Sequence, residues 1–115
     1  MAVTVTTEQT VSSVKKIVFN WATTGTTGGT TINTYDGEVI SVVCTNTATT
    51  GGTIILTDND GNDILMGKGV LSTGISYAGT TDGRYPIGAV ANSKLTCTVA
   101  STGAAGTGYC YVKIR

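Results

Sequence analysis

Apolar and polar residues alternate with a period of two along much of this chain, the pattern of strands with one face buried and one in water. The clearest case is the last pair of segments. Leu95-Thr96-Cys97-Thr98-Val99 and Gly108-Tyr109-Cys110-Tyr111-Val112-Lys113-Ile114 both alternate, and a Ser/Thr/Gly/Ala loop joins them. The spacing predicts a hairpin in which Leu95 faces Val112, Cys97 faces Cys110 and Val99 faces Gly108. Thr96 then faces Tyr111 and Thr98 faces Tyr109. One side of this ribbon is aliphatic and cysteine, the other threonine and tyrosine.

The same style runs through the rest. Val3 and Val5 share one side of the first segment, with Thr4 and Thr6 on the other, which reads as an extended N-terminal arm or an edge strand. Lys15 to Ala22 is a stronger strand, with Ile17, Phe19 and Trp21 on one face as a core anchor and Lys16, Val18 and Asn20 opposite. Thr23 to Thr31 is polar on all sides and reads as a loop. Ile32 to Tyr35 reads as a short strand ended by Asp36-Gly37. Glu38 to Thr45 is apolar on both faces, with Ile40, Val42 and Cys44 in one row, as in a central strand. Thr53 to Thr57 and Asp63 to Met66 flank Asp58-Asn59-Asp60-Gly61-Asn62, an Asp-Gly hairpin signal. Val70 to Ala78, broken by Gly74, and Ile87 to Val90 complete the set. About eight strands with turns every eight to twelve residues predict an all-β, single-domain antiparallel β-sandwich, jelly-roll or immunoglobulin-like. Residues 1–14 are expected as an extended N-terminal arm and 15–115 as the sandwich domain.

Composition fits one domain: 115 residues bury enough surface for a single core without staples. Only 12% of residues are charged, about half the usual share, and threonine and glycine fill the gap. A threonine surface suits packing against other protein, because charge is what keeps a freely diffusing monomer soluble. The formal net charge is +0, and Lys15-Lys16 is the only adjacent basic pair, which argues against nucleic acid as a partner. No apolar run is long enough for a transmembrane helix, and the first residues lack the pattern of a secretory signal, so no membrane is expected.

Candidate chemistry is sparse. The chain has no histidine, which removes the commonest general base, the usual nucleophile pairs and most zinc sites. Cys44, Cys97 and Cys110 are odd in number and lack C-x-x-C spacing. They read as reduced, buried thiols, with a Cys97–Cys110 bridge as the alternative. The acidic turn fails as an EF-hand, since counting from Asp58 puts Asp63 where glycine is needed and Gly67 where glutamate is needed. It reads as a plain hairpin turn, with a shallow oxygen site for calcium as the other possibility. Neither glycine-rich stretch continues as a phosphate loop. Tyr35, Tyr77, Tyr85, Tyr109 and Tyr111 offer either a sugar platform or protein contacts, and for Tyr109 with Tyr111 protein contact is the favoured reading. No catalytic residue, cofactor or metal site is expected.

Three pieces carry a resemblance: Leu56-Thr57-Asp58-Asn59-Asp60-Gly61-Asn62-Asp63-Ile64-Leu65, Lys94 to Ala100, and Gly106 to Ile114. A strand, an acidic Asp-Gly hairpin, a Gly/Ser-rich middle and a spaced Leu/Val/Gly/Ile pattern follow in that order between Gly37 and Arg115. In this the chain resembles small bacteriophage virion structural proteins, and its size points to the capsid decoration (cement) type. The resemblance implies a non-enzymatic protein on the outer surface of a phage head, a homo-oligomer (trimer, or else dimer) bound to the major capsid protein and stabilising the shell against internal DNA pressure. It would be assembled in the host cytoplasm. The competing expectation is a phage-displayed adhesin or carbohydrate-binding β-sandwich module. Either way the candidate protein-interface residues are Val3, Val5 and Glu8 of the arm and Thr96, Thr98, Tyr109 and Tyr111 of the final hairpin.

Overall fold

The computed structural model describes residues 3–11, 13–22, 29–46, 52–65, 69–71, 74–80, 89–100 and 107–115. Among them the strands are β1 (Thr4–Gln9), β2 (Lys15–Ala22), β3 (Gly29–Thr30), β4 (Tyr35–Asn46), β5 (Gly52–Thr57), β6 (Val70–Leu71), β7 (Gly74–Thr80), β8 (Ala89–Ser93), β9 (Thr96–Ala100) and β10 (Thr107–Ile114). No described residue is helical. Eight strands have five residues or more, and β3 and β6 have two each. They form two antiparallel sheets. One runs β1-β2-β10-β4-β7, with β8 beside the first residues of β4, and the other runs β3-β9-β5-β6. The all-β sandwich expected from the alternation is what the chain adopts.

The core lies between the sheets. Ile17, Phe19 and Trp21 of β2, Val39, Val42 and Cys44 of β4, and Cys110, Val112 and Ile114 of β10 cover the inner face of the larger sheet. Ile54 and Leu56 of β5 and Cys97 and Val99 of β9 cover the smaller one, and Leu95, Ile64, Leu65 and Val90 join the same buried cluster. Burying each such side chain contributes about 1.5–3 kcal/mol.

The final two segments do not form the expected hairpin. β10 sits between β2 and β4, pairing Cys110 with Phe19 on one side and with Cys44 on the other. β9 belongs to the opposite sheet, between β3 and β5. Alternation fixes which side of a strand is buried, and that part is correct; it says nothing of which strand lies alongside. An apolar row serves equally as a hairpin partner or as the facing wall of a sandwich. The segment between β9 and β10, residues 101–106, lies outside the described residues, as do residues 23–28 of the expected Thr23–Thr31 loop; the end of that loop is instead a strand, since Gly29 and Thr30 form β3 against Cys97 and Thr96 of β9.

Other boundaries differ for local reasons. β4 runs straight through Asp36-Gly37: Gly37 takes φ +125°, and a register shift against β8 absorbs it within the strand. A second irregularity, between Lys113 and Ile114, skips one residue of β4, so that Val39 rather than Ile40 enters the core. Asp63 to Leu65, the described part of the expected Asp63–Met66 segment, do not form a return strand. A single bridge joins Thr57 to Asp63, and Asp63 Oδ1 then accepts the N–H groups of Leu56 and Leu65, turning the chain inward. The break in the Val70–Ala78 segment is a change of sheet, since β6 pairs with β5 and β7 with β4.

The first segment is an edge strand of its own sheet. β1 pairs with β2 from Thr4↔Asn20 to Gln9↔Lys16, with a bulge between Val5 and Thr7, and Val3 is buried in the core. The arm expected over 1–14 is thus, in its described residues, joined to the sandwich; the apolar side carried by Val3 and Val5 has a core to cover.

Candidate protein-binding faces

The outward row of β10 is Tyr109, Tyr111 and Lys113. Register places Asn20, Val18 and Lys16 of β2 on one side of it and Thr45, Val43 and Ser41 of β4 on the other. Thr4, Thr7 and Gln9 of β1 continue the face to its edge. The tyrosine rings stack, 6.1 Å between centroids and 17° between planes. Lys16 Nζ lies 5.2 Å from the Tyr111 centroid, a cation–π contact that anchors one end of the pair. Tyr109 is 47% exposed, whereas Val18 beneath this layer is buried. Thr4 Oγ1 donates to Asn20 Oδ1 at 2.7 Å, knitting the edge strand to the face. The result is a sheet surface of threonine, valine and tyrosine with lysines at one end and no carboxylate in these rows.

Thr96 and Thr98 lie on the opposite exterior of the molecule. There Thr96 neighbours Thr30 and Thr57, and Thr98 neighbours Ile55. The Thr30 and Thr96 hydroxyls are 2.8 Å apart, and Thr57 Oγ1 donates to the Thr96 carbonyl. The structure therefore separates the two pairs that the expected hairpin put on one face. It brings Tyr109 and Tyr111 together, and their neighbours Lys16, Val18 and Asn20 are the very residues opposite the anchor row in β2. What the alternation could not provide was the adjacency of β2 and β10.

The three candidates from the first segment serve the chain's own fold. Val3 is buried and Val5 packs against the core. Glu8 reaches the segment before β4: Oε2 accepts the Ile32 N–H at 2.9 Å, and Oε1 accepts the Asn33 N–H and Nδ2–H, both at 3.1 Å, and the Tyr35 hydroxyl at 2.7 Å. Burial pushes its carboxyl pKa up, but these donors, Ile32 N–H first, outweigh it and hold it below the ordinary value. Burial and then the bond to Glu8 push the Tyr35 hydroxyl the other way, well above its usual range. Tyr35 is thus a core residue and no part of an aromatic platform. Of Tyr77 the backbone pairing is described, opposite Val43, and Tyr85 lies outside the described residues.

The acidic turn is occupied with its own backbone. Asp58 Oδ1 accepts the N–H groups of Asp60 and Asn62, and Gly61 holds φ +82°. Asn59 docks the turn on the β8–β9 connection, donating its N–H to Ser93 Oγ and accepting that of Lys94. Among the described residues no group of three or more His, Cys, Asp or Glu is placed to hold a metal. Cys44, Cys97 and Cys110 are free and buried. Contact with Cys44, then Cys97, and burial raise the Cys110 thiol well above its usual pKa, so it behaves as a core hydrophobe. Comparison with family models, curated proteins and solved structures finds no match for this chain.

Proposed function

We propose that this chain is a non-enzymatic structural protein of a phage head, a cement or decoration protein that binds the outer surface of the major capsid protein shell and stabilises it. The observation that carries this reading is the outer face of the larger sheet, where the stacked Tyr109–Tyr111 pair stands among threonine and valine with lysines at one end. Protein interfaces are enriched in tyrosine and depleted of charge at their centres, and energetic hot spots favour the same residue. Stable contacts bury on the order of 1,200–2,000 Å² in total, and repetition over a symmetric shell multiplies the hold of each copy. The resemblance of the Leu56–Leu65 and Gly106–Ile114 segments to virion proteins supports the same reading.

The test mixes the purified chain with expanded capsids assembled without it. Saturable co-sedimentation and a higher temperature of DNA release are expected. Replacing Tyr109 and Tyr111 together by Ala should weaken binding at least about tenfold, as expected for a hot-spot pair, with the melting temperature of the chain little changed. Absence of capsid binding overturns the reading. A half-exposed tyrosine beside a nearly parallel one also suits stacking on a sugar ring, so tyrosine-dependent binding to host-surface polysaccharide would favour the adhesin reading instead.

A further inference from the structure

We infer that β1 is exchangeable between copies of this chain, so that a pair of molecules forms by each placing its β1 on the β2 of the other. The described contacts that hold β1 are to segments that a second copy presents equally well. They include the ladder to β2, the contact with β3, the burial of Val3, and the four hydrogen bonds of Glu8 to Ile32, Asn33 and Tyr35. A closed and an exchanged form share every one of them. The balance between the forms is then decided by the connection and by protein concentration.

The connection favours exchange. Thr10-Val11-Ser12-Ser13-Val14 joins β1 to β2 without a Gly, Asn, Asp or Pro, the residues that make tight hairpin turns. Three of the five are β-branched and prefer extended backbone. The closed form leaves Val11 96% and Val14 36% exposed. Straightened, the same residues continue β1 into β2 as one long strand. The two connections of an exchanged pair then cross side by side and shield their valines. β1 is also placed for release: it lies at the sheet edge, it has a single ladder neighbour, and its bulge interrupts that ladder. The pairing belongs to the chain itself and needs no capsid, so its failure would leave the proposed function standing, and the reverse.

The test places a thiol pair across the β1–β2 ladder with Thr4→Cys and Asn20→Cys, an exposed register pair whose side chains already touch. The variant is equilibrated over a range of concentrations and oxidised while folded. It is then denatured with alkylation of the remaining thiols and analysed by intact mass and peptide mapping. A two-chain species carrying both links between the introduced thiols is expected at high concentration, falling on dilution before oxidation. Ser12→Asn with Ser13→Gly, which supplies a two-residue tight turn in register with the Gln9↔Lys16 pairing, should abolish it. Intramolecular links at every concentration would overturn the inference. If the double-thiol variant fails to fold, sedimentation of the unaltered chain decides. A dimer that the Asn-Gly connection converts to monomer supports exchange; a monomer throughout, or a dimer indifferent to the connection, overturns it.

Discussion

Glu8 shows how much one side chain does for the first strand. It gathers two backbone N–H groups, a side-chain amide and the buried hydroxyl of Tyr35, twenty-seven residues away. Glu8→Ala leaves those donors without their acceptor, and a loss of about 1–3 kcal/mol is expected for an unsatisfied buried partner. The carboxyl pKa in the folded chain lies below its ordinary value of 4.5, so the unfolded chain binds the Glu8 proton more tightly. Its stabilisation is therefore fully present above the unfolded value and is lost as pH falls through the lower folded one. Urea unfolding at pH 6 and at pH 3 should show this loss, and Glu8→Gln should shrink the difference. The sequence offered Glu8 as an interface candidate of the first segment and gave no sign of this internal role. Its partners have no local signature, because hydrogen bonds across such separations are made by the fold.

At the scale of the strands, the sequence was most informative about faces and least about neighbours. Ile17, Phe19, Trp21, Val112 and Ile114 are buried as their alternation required, and Tyr109 and Tyr111 face outward together. The adjacency of β10 to β2 and β4 was not legible, since a period of two is satisfied by any apolar partner. Nor was the bulge that exchanges Ile40 for Val39, because both residues are apolar and either fits the pattern. Glycine marks one place where strand packing admits no side chain. A Cβ on Gly108 would stand 2.1 Å from the Thr45 carbonyl oxygen and 2.5 Å from Trp21 Cζ2, where neither backbone nor ring has room to yield. Gly108→Ala should cost about 3 kcal/mol or more, at the upper end of overpacking effects. A thermal melt measures it, and a change in Trp21 fluorescence should accompany it.

For the molecule as a whole, the position of β10 sets a rule about time. The strand made last among the ten is flanked on both sides by strands made long before it, β2 and β4. While the chain is still being translated, β2 and β4 have a gap between them that nothing yet synthesised is built to fill, and their apolar inner rows lie open. Folding that depends on such distant pairings is slow and leaves intermediates prone to aggregation. Ribosome-stalled chains ending before Thr107 should stay sensitive to protease, whereas chains in which Thr107 to Ile114 have cleared the exit tunnel should become resistant. Resistance acquired before that point would contradict the rule. A cell making many copies at once would thus hold a pool of nearly finished chains, each missing the same central plank.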